Sequence, residues 1–141
     1  MKKQLWIPLL LLFVSVAIAA CGGGGSEPAE PEAAGVSFDY TGFDQFSYNL
    51  ETVTVKAGSE VTINFTNEGA LQHNWLLVSE RVDPIEATEA DALSGATTGE
   101  IGGGETATIT FNAPPAGTYR VVCTVAGHAE GGMVAEFVVE P

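Results

Sequence analysis

The chain has 141 residues, with 18 acidic side chains against 5 basic ones, for a formal charge of −13. That length suits one domain and leaves no room for a second sizeable core, and the acidic balance excludes nucleic acid as a partner, because a phosphate backbone needs a cationic surface. With 45% hydrophobic and only 16% charged residues it is not a disordered acidic tail, and the charge favours cationic partners drawn in by steering that salt weakens.

Met1, Lys2 and Lys3 make a short basic start. Residues 5–13 form an apolar run, and residues 15–20 a small-residue stretch ahead of Cys21. This is the layout of a secretory signal. Ile18-Ala19-Ala20-Cys21 resembles a bacterial lipobox, in which the Cys becomes the lipidated first residue after cleavage. The expected organisation is a lipoprotein signal peptide over 1–20, a lipid anchor at Cys21 with a flexible Gly/Pro/Glu linker over 21–35, and one folded domain over 36–141. The alternatives are a plain secretory signal or an uncleaved membrane anchor. Cleavage before Cys21 leaves 141 − 20 = 121 residues, whose basic side chains are Lys56, Arg81 and Arg120, for a side-chain charge of 3 − 18 = −15. The product is expected on the extracytoplasmic, periplasmic face of the cell membrane.

The domain reads in period two. Val53 and Val55 begin a strand that ends at the turn Ala57-Gly58-Ser59. Val61, Ile63 and Phe65 alternate with Thr62, Asn64 and Thr66, as a strand with one wet face requires. Trp75-Leu76-Leu77-Val78 is continuously apolar and predicts a central strand. A short helix is expected over 83–93, with Asp83 as N-cap, Pro84 at the first helical position, Glu86 at capping-box spacing and a stop at Ser94-Gly95. Ala107, Ile109 and Phe111 alternate with Thr106, Thr108 and Thr110 in a further strand, and residues 118–123 and 134–139 supply two more. The fold class is therefore all-β: an antiparallel β-sandwich or barrel of Greek-key type with one short helix.

Beyond Cys21, the soft metal donors are few: His73, Cys123, His128 and Met133. Three of them fall within eleven residues, with His73 about fifty residues earlier, just ahead of the Trp75 strand. Two imidazoles, one thiolate and one thioether form the ligand set of a blue-copper electron-transfer site, trigonal His₂Cys with a weak axial Met. Cys123 ends a strand on the face of Tyr119 and Val121, so its sulfur points inward. Gly127, Gly131 and Gly132 let the loop fold tightly around an ion. Singly, each donor has a plain structural reading: a buried thiol, a loop histidine, a core histidine, a core methionine. Jointly, those readings require every soft donor of the domain to cluster by chance.

Other chemistries fit less well. One domain Cys allows no internal disulfide, and a Cys-His nucleophile leaves Met133 unexplained. A structural zinc site takes four Cys or His where the domain has three. Gly102-Gly103-Gly104 lacks the Lys of a phosphate loop. The acidic residues read as solvated faces, with no calcium loop among them.

The pattern resembles the cupredoxin family of blue copper proteins, its auracyanin-like members most closely and azurin-like ones more distantly. Residues 54–58 and 61–69 resemble the family's early strand pair, and His73-Asn74-Trp75 its first-ligand motif. Ala116-Gly117-Thr118-Tyr119 leading to Cys123-Thr124, Gly127-His128 and Met133 resembles its ligand loop. Val125 and Ala126 stand where Phe and Pro are usual, and the equal spacing of Cys123, His128 and Met133 is auracyanin-like. The likeness implies one copper per chain, bound by His73, Cys123, His128 and Met133. It implies that Asn74, with Thr124 beside the Cys, steadies the thiolate by hydrogen bonding, and that the carbonyl of Gln72 faces the metal weakly. It also implies a monomeric one-electron carrier rather than an enzyme, passing electrons through the exposed edge of His128 between a quinol-oxidising complex and a cytochrome c. A copper-handling lipoprotein and a metal-free scaffold are the rival readings.

Overall fold

The computed structural model describes residues 35–141. The signal peptide expected over 1–20, the Cys21 anchor and nearly all of the linker lie outside the described residues. Eight strands run in order: β1 (Val36–Phe43), β2 (Ser47–Tyr48), β3 (Thr52–Lys56), β4 (Glu60–Asn67), β5 (Leu76–Ser79), β6 (Thr106–Asn112), β7 (Gly117–Val122) and β8 (Val134–Glu140). They form two four-stranded sheets, β2-β1-β4-β6 and β3-β8-β7-β5. Alternation builds β4 as its sequence requires: Val61, Ile63 and Phe65 are fully buried, while Thr62, Asn64 and Thr66 face outward.

Between the sheets lies an aromatic core centred on Trp75. Its ring meets Tyr40 at 5.7 Å, Phe111 at 5.9 Å and Phe137 at 6.4 Å between centroids, and Tyr40 in turn meets Tyr48 at 5.9 Å. Tilted and edge-on arrangements of this kind suit the quadrupoles of the rings. A smaller cluster of Leu76, Val78, Ala87 and Val122 lies on the outer side of β5 and β7. Val121 faces the main core and Val122 this outer cluster, so β7 is buried on both faces near its end.

The sandwich is as expected, with three corrections of detail. It is not wholly antiparallel, because β1 pairs with β4 and β3 with β8 in parallel. The chain leaves the first sheet to make β3 and returns beside β1 in the same sense. Secondly, β5 is an edge strand rather than a central one. Its apolar run stays buried because the following segment covers the open edge, Leu77 N donating to Ala96 O at 3.0 Å and Thr98 N to Trp75 O at 3.0 Å. Thirdly, no α-helix forms over 83–93. Asp83 closes a turn instead, accepting Ile85 N on its side chain at 3.0 Å and Glu86 N on its carbonyl at 3.0 Å. Two 3₁₀ turns follow, Glu89–Asp91 and Leu93–Gly95. The capping box is made by Thr88 with Asp91, not by Asp83 with Glu86. Thr88 is extended, with φ −131° and ψ 166°, which interrupts any longer helix. Among the described residues no helix is long and apolar enough to cross a membrane.

Candidate metal centre

The register of β7 with β8 builds the site. Val122 pairs with Val134, so the chain leaves one strand and re-enters its neighbour at the same level. Cys123 and Met133 are thereby placed side by side, Cys123 N donating to Met133 O at 3.2 Å. The loop between them closes on itself: Met133 N donates to His128 O at 2.9 Å, His128 N to Val125 O at 3.0 Å and Gly131 N to Gly127 O at 3.0 Å. Gly127 and Gly132 take φ of 84° and 106°, conformations that a side chain would strain. His73 arrives from the other direction, just ahead of β5. Its backbone is locked to Ile101 by paired hydrogen bonds of 3.1 and 2.9 Å.

These constraints bring His73, Cys123 and His128 together, with their donor atoms all within 4.8 Å of one another. Both imidazoles turn Nδ1 inward: His73 Nδ1 lies 3.1 Å from His128 Nδ1, and Cys123 Sγ lies 3.4 Å from the same atom. His73, Cys123 and Met133 are fully buried. His128, whose edge was expected to be exposed, is buried, with 5% of the residue accessible. The ring of Phe46 covers it, 4.6 Å away between centroids and tilted by 38°.

Asn74 lies beside the ligand loop. Its side chain accepts Thr124 N at 2.8 Å and donates to Thr124 Oγ1 at 2.8 Å, which fixes the first residue of the ligand loop to the segment between His73 and β5. Its carbonyl accepts the buried Tyr48 hydroxyl at 2.7 Å. Gln72 stands outside this network, with its side chain exposed.

Two carboxylates read as solvated faces have specific work. Glu89, on the first 3₁₀ turn, accepts Asn74 Nδ2 at 2.6 Å and Thr97 Oγ1 at 2.6 Å, pinning the covering segment to the site. Asp44, in the turn between β1 and β2, accepts His73 Nε2 at 3.1 Å. Phe46 on the same turn covers His128. No spacing rule exposes these contacts, since they join positions 8 to 82 residues apart.

Burial pushes the Cys123 thiol up, while the backbone amides of Asn74 and Val125 pull it back toward the thiolate. Burial, and then the neighbouring His73, hold His128 below the ordinary histidine value. The amides of Ala70 and then Leu71 hold the Asp44 carboxyl below its usual range. The metal-free cluster is thus a protonated thiol beside the weakly basic imidazole of His128, so binding a metal displaces a proton from sulfur.

The donor set fits copper. Two imidazole nitrogens, one thiolate and a buried thioether provide the soft, three-plus-one arrangement of a blue-copper centre, and the apolar surroundings keep water out. Comparison with known proteins agrees. Residues 35–140 match the family described as copper binding proteins, plastocyanin/azurin family. The chain is 31% identical to auracyanin-A of Chloroflexus aurantiacus, over 89% of this chain and 90% of that protein. It is 33% identical to auracyanin-B of the same organism, over 87% of this chain and 60% of that protein. The crystal structure of dithionite-reduced auracyanin from Roseiflexus castenholzii superposes with a TM-score of 0.64 at 29% identity, covering 78% of this chain and 98% of that one. The chain belongs to the plastocyanin/azurin family, the blue copper electron-transfer proteins, and copper is its cofactor.

Proposed function

We propose that the protein is a lipid-tethered, one-electron carrier on the outer face of the cytoplasmic membrane, anchored through Cys21. His73 and His128 would hold the copper through Nδ1, Cys123 through its thiolate and Met133 through a longer thioether contact. The observation that carries this reading is the buried convergence of three donor atoms within 4.8 Å. Copper, when bound there, supplies a single-electron couple between its +2 and +1 states. The residues around it do the rest. The β7–β8 register and the Ile101 lock on His73 hold the donors in one geometry, which keeps rearrangement on electron transfer small. Asn74 and Thr124 fix the loop at Cys123, and the aromatic core excludes water.

His128, capped by the Phe46 ring, would carry the electron outward from the metal. Beside its loop, Val125, Ala126 and Ala129 line a mixed groove with Pro84, Ile85 and Glu130, and Ile85 is 58% exposed. Such a surface suits docking of a redox partner, and the acidic charge suits one with a basic face. A quinol-oxidising complex as donor and a cytochrome c as acceptor fit this chemistry. Buried donors favour retention of the metal over its transfer to another protein, which separates a carrier from a copper-handling role.

The test is the visible spectrum of the purified chain after addition of Cu(II). The expected result is an intense blue thiolate-to-copper band, bleached by ascorbate and absent from Cys123→Ser. A colourless protein, or one that surrenders its copper quickly to a mild chelator, would overturn the carrier reading.

A further inference from the structure

We infer that Asp44 is a positioning residue for His73, and that its negative charge holds the copper reduction potential down. The inference rests on the ligand assignment proposed above. Its first support is directional. With Asp44 Oδ1 3.1 Å from His73 Nε2, the imidazole proton belongs on Nε2, and the lone pair is left on Nδ1. That nitrogen is the one facing His128 and Cys123. The carboxylate therefore selects the tautomer and the ring orientation that a metal at the cluster needs.

The second support is that Asp44 is itself held in place. Ala70 N donates to both of its oxygens, at 3.1 and 2.9 Å, and Leu71 N donates to Oδ1 at 3.1 Å. A surface carboxylate free to swing would offer little orientation; this one is fixed by two backbone amides of the loop that precedes His73. The third support is the space reserved for the contact. A Cβ at Gly69 would collide with the Asp44 carboxylate and would lie 3.0 Å from His73 Nε2. Glycine at that position leaves the carboxylate and the imidazole free to meet.

The electrostatic consequence has a definite sign. A fixed negative charge one imidazole away from the metal stabilises Cu(II) more than Cu(I), because the oxidised ion carries the greater positive charge. Removing the charge should weaken Cu(II) binding relative to Cu(I) and raise the potential. Outer partners of ligating histidines are worth about 10–100-fold in metal affinity. Because Asp44 is partly exposed, with about a third of its side chain accessible, the low end is expected. A tenfold change in the Cu(II)/Cu(I) affinity ratio corresponds to about 59 mV for a one-electron couple.

The experiment compares wild type, Asp44→Asn and Asp44→Ala in the full chain. Two readouts are taken: the copper reduction potential, and the NMR signal of the His73 Nε2 proton in the metal-free and Cu(I) forms. Asn keeps an acceptor oxygen of the same size, so it should retain the slowly exchanging Nε2 proton while raising the potential by the equivalent of about tenfold. Ala should lose the proton signal and raise the potential at least as far. If the Asn variant keeps its affinity ratio within about twofold of wild type, the charge does not act on the metal and the inference fails. If the Ala variant keeps the protected Nε2 proton, the positioning role fails. A wild type that shows no blue band overturns the ligand assignment and this inference with it, whereas a blue wild type with unmoved variants overturns the inference alone.

Discussion

Replacing Asn74 with Ala tests how the ligand loop is held. The fully buried side chain makes one hydrogen bond to Glu89 and two to Thr124. The Glu89 carboxylate is exposed and regains water, so that bond is counted as nothing. The two Thr124 bonds are worth about 1 kcal/mol each, and the Thr124 amide left without its partner raises the total to about 3 kcal/mol. In a domain of this size a loss of that order lowers the melting temperature by roughly 12 °C. Urea unfolding of the metal-free variant should show a lower midpoint with an unchanged slope, since the surface exposed on unfolding is the same. The copper form should also show a broadened thiolate band, because Thr124 no longer fixes the residue after Cys123. A stability loss under about 1 kcal/mol with a wild-type spectrum would refute the reasoning. Asn74 would then be a passenger of the segment ahead of β5 rather than a clamp.

Three further outcomes follow from other parts of the structure. Phe46 has φ of 57°, a conformation costly for any side chain, so Phe46→Gly should destabilise the chain by about 1 kcal/mol less than Phe46→Ala in paired urea titrations; equal losses would mean the turn relaxes freely. The metal-free protein should be most stable between about pH 6.5 and 8.5. Depression of His128 leaves the folded state binding fewer protons than the unfolded one below that window, and elevation of Cys123 leaves it binding more above it, so stability falls on both sides. A Cys123→Ser variant that still loses stability above the window would remove the thiol from that account. Finally, the rate of electron transfer to a basic partner should fall as ionic strength rises, given a formal charge of −13, and a rate indifferent to salt would exclude steering.

What could be read from the sequence follows the physics of each feature. Val61, Ile63 and Phe65 announce β4 because one face is wholly buried and the other wholly polar. The soft donors stand out because the domain holds so few, and because three of them share one loop. β1 was less legible: its apolar and polar positions do not alternate cleanly, and only Tyr40 and Gly42 are buried within it. The helix over 83–93 failed at Thr88, whose extended backbone and side-chain cap restart the chain in a tighter turn. Asp44 and Phe46 were illegible for a different reason. Their partners His73 and His128 lie 29 and 82 residues away, and only the stacking of the two sheets brings that turn over the imidazoles.

The parallel pairing of β3 with β8 also governs when the site can exist. Positions 52 and 136 are direct neighbours in that ladder, so an early strand must wait for a very late one. Contacts this distant in sequence make folding slow, because a long loop must close before any reward is gained. Until β8 has docked, the residues after Cys123 have nothing to return to, and His128 and Met133 wander independently of His73. A chain still emerging from a ribosome or a translocation pore therefore has no assembled set of donors. Copper selection is postponed until the whole sandwich has closed, in whichever compartment that closure takes place.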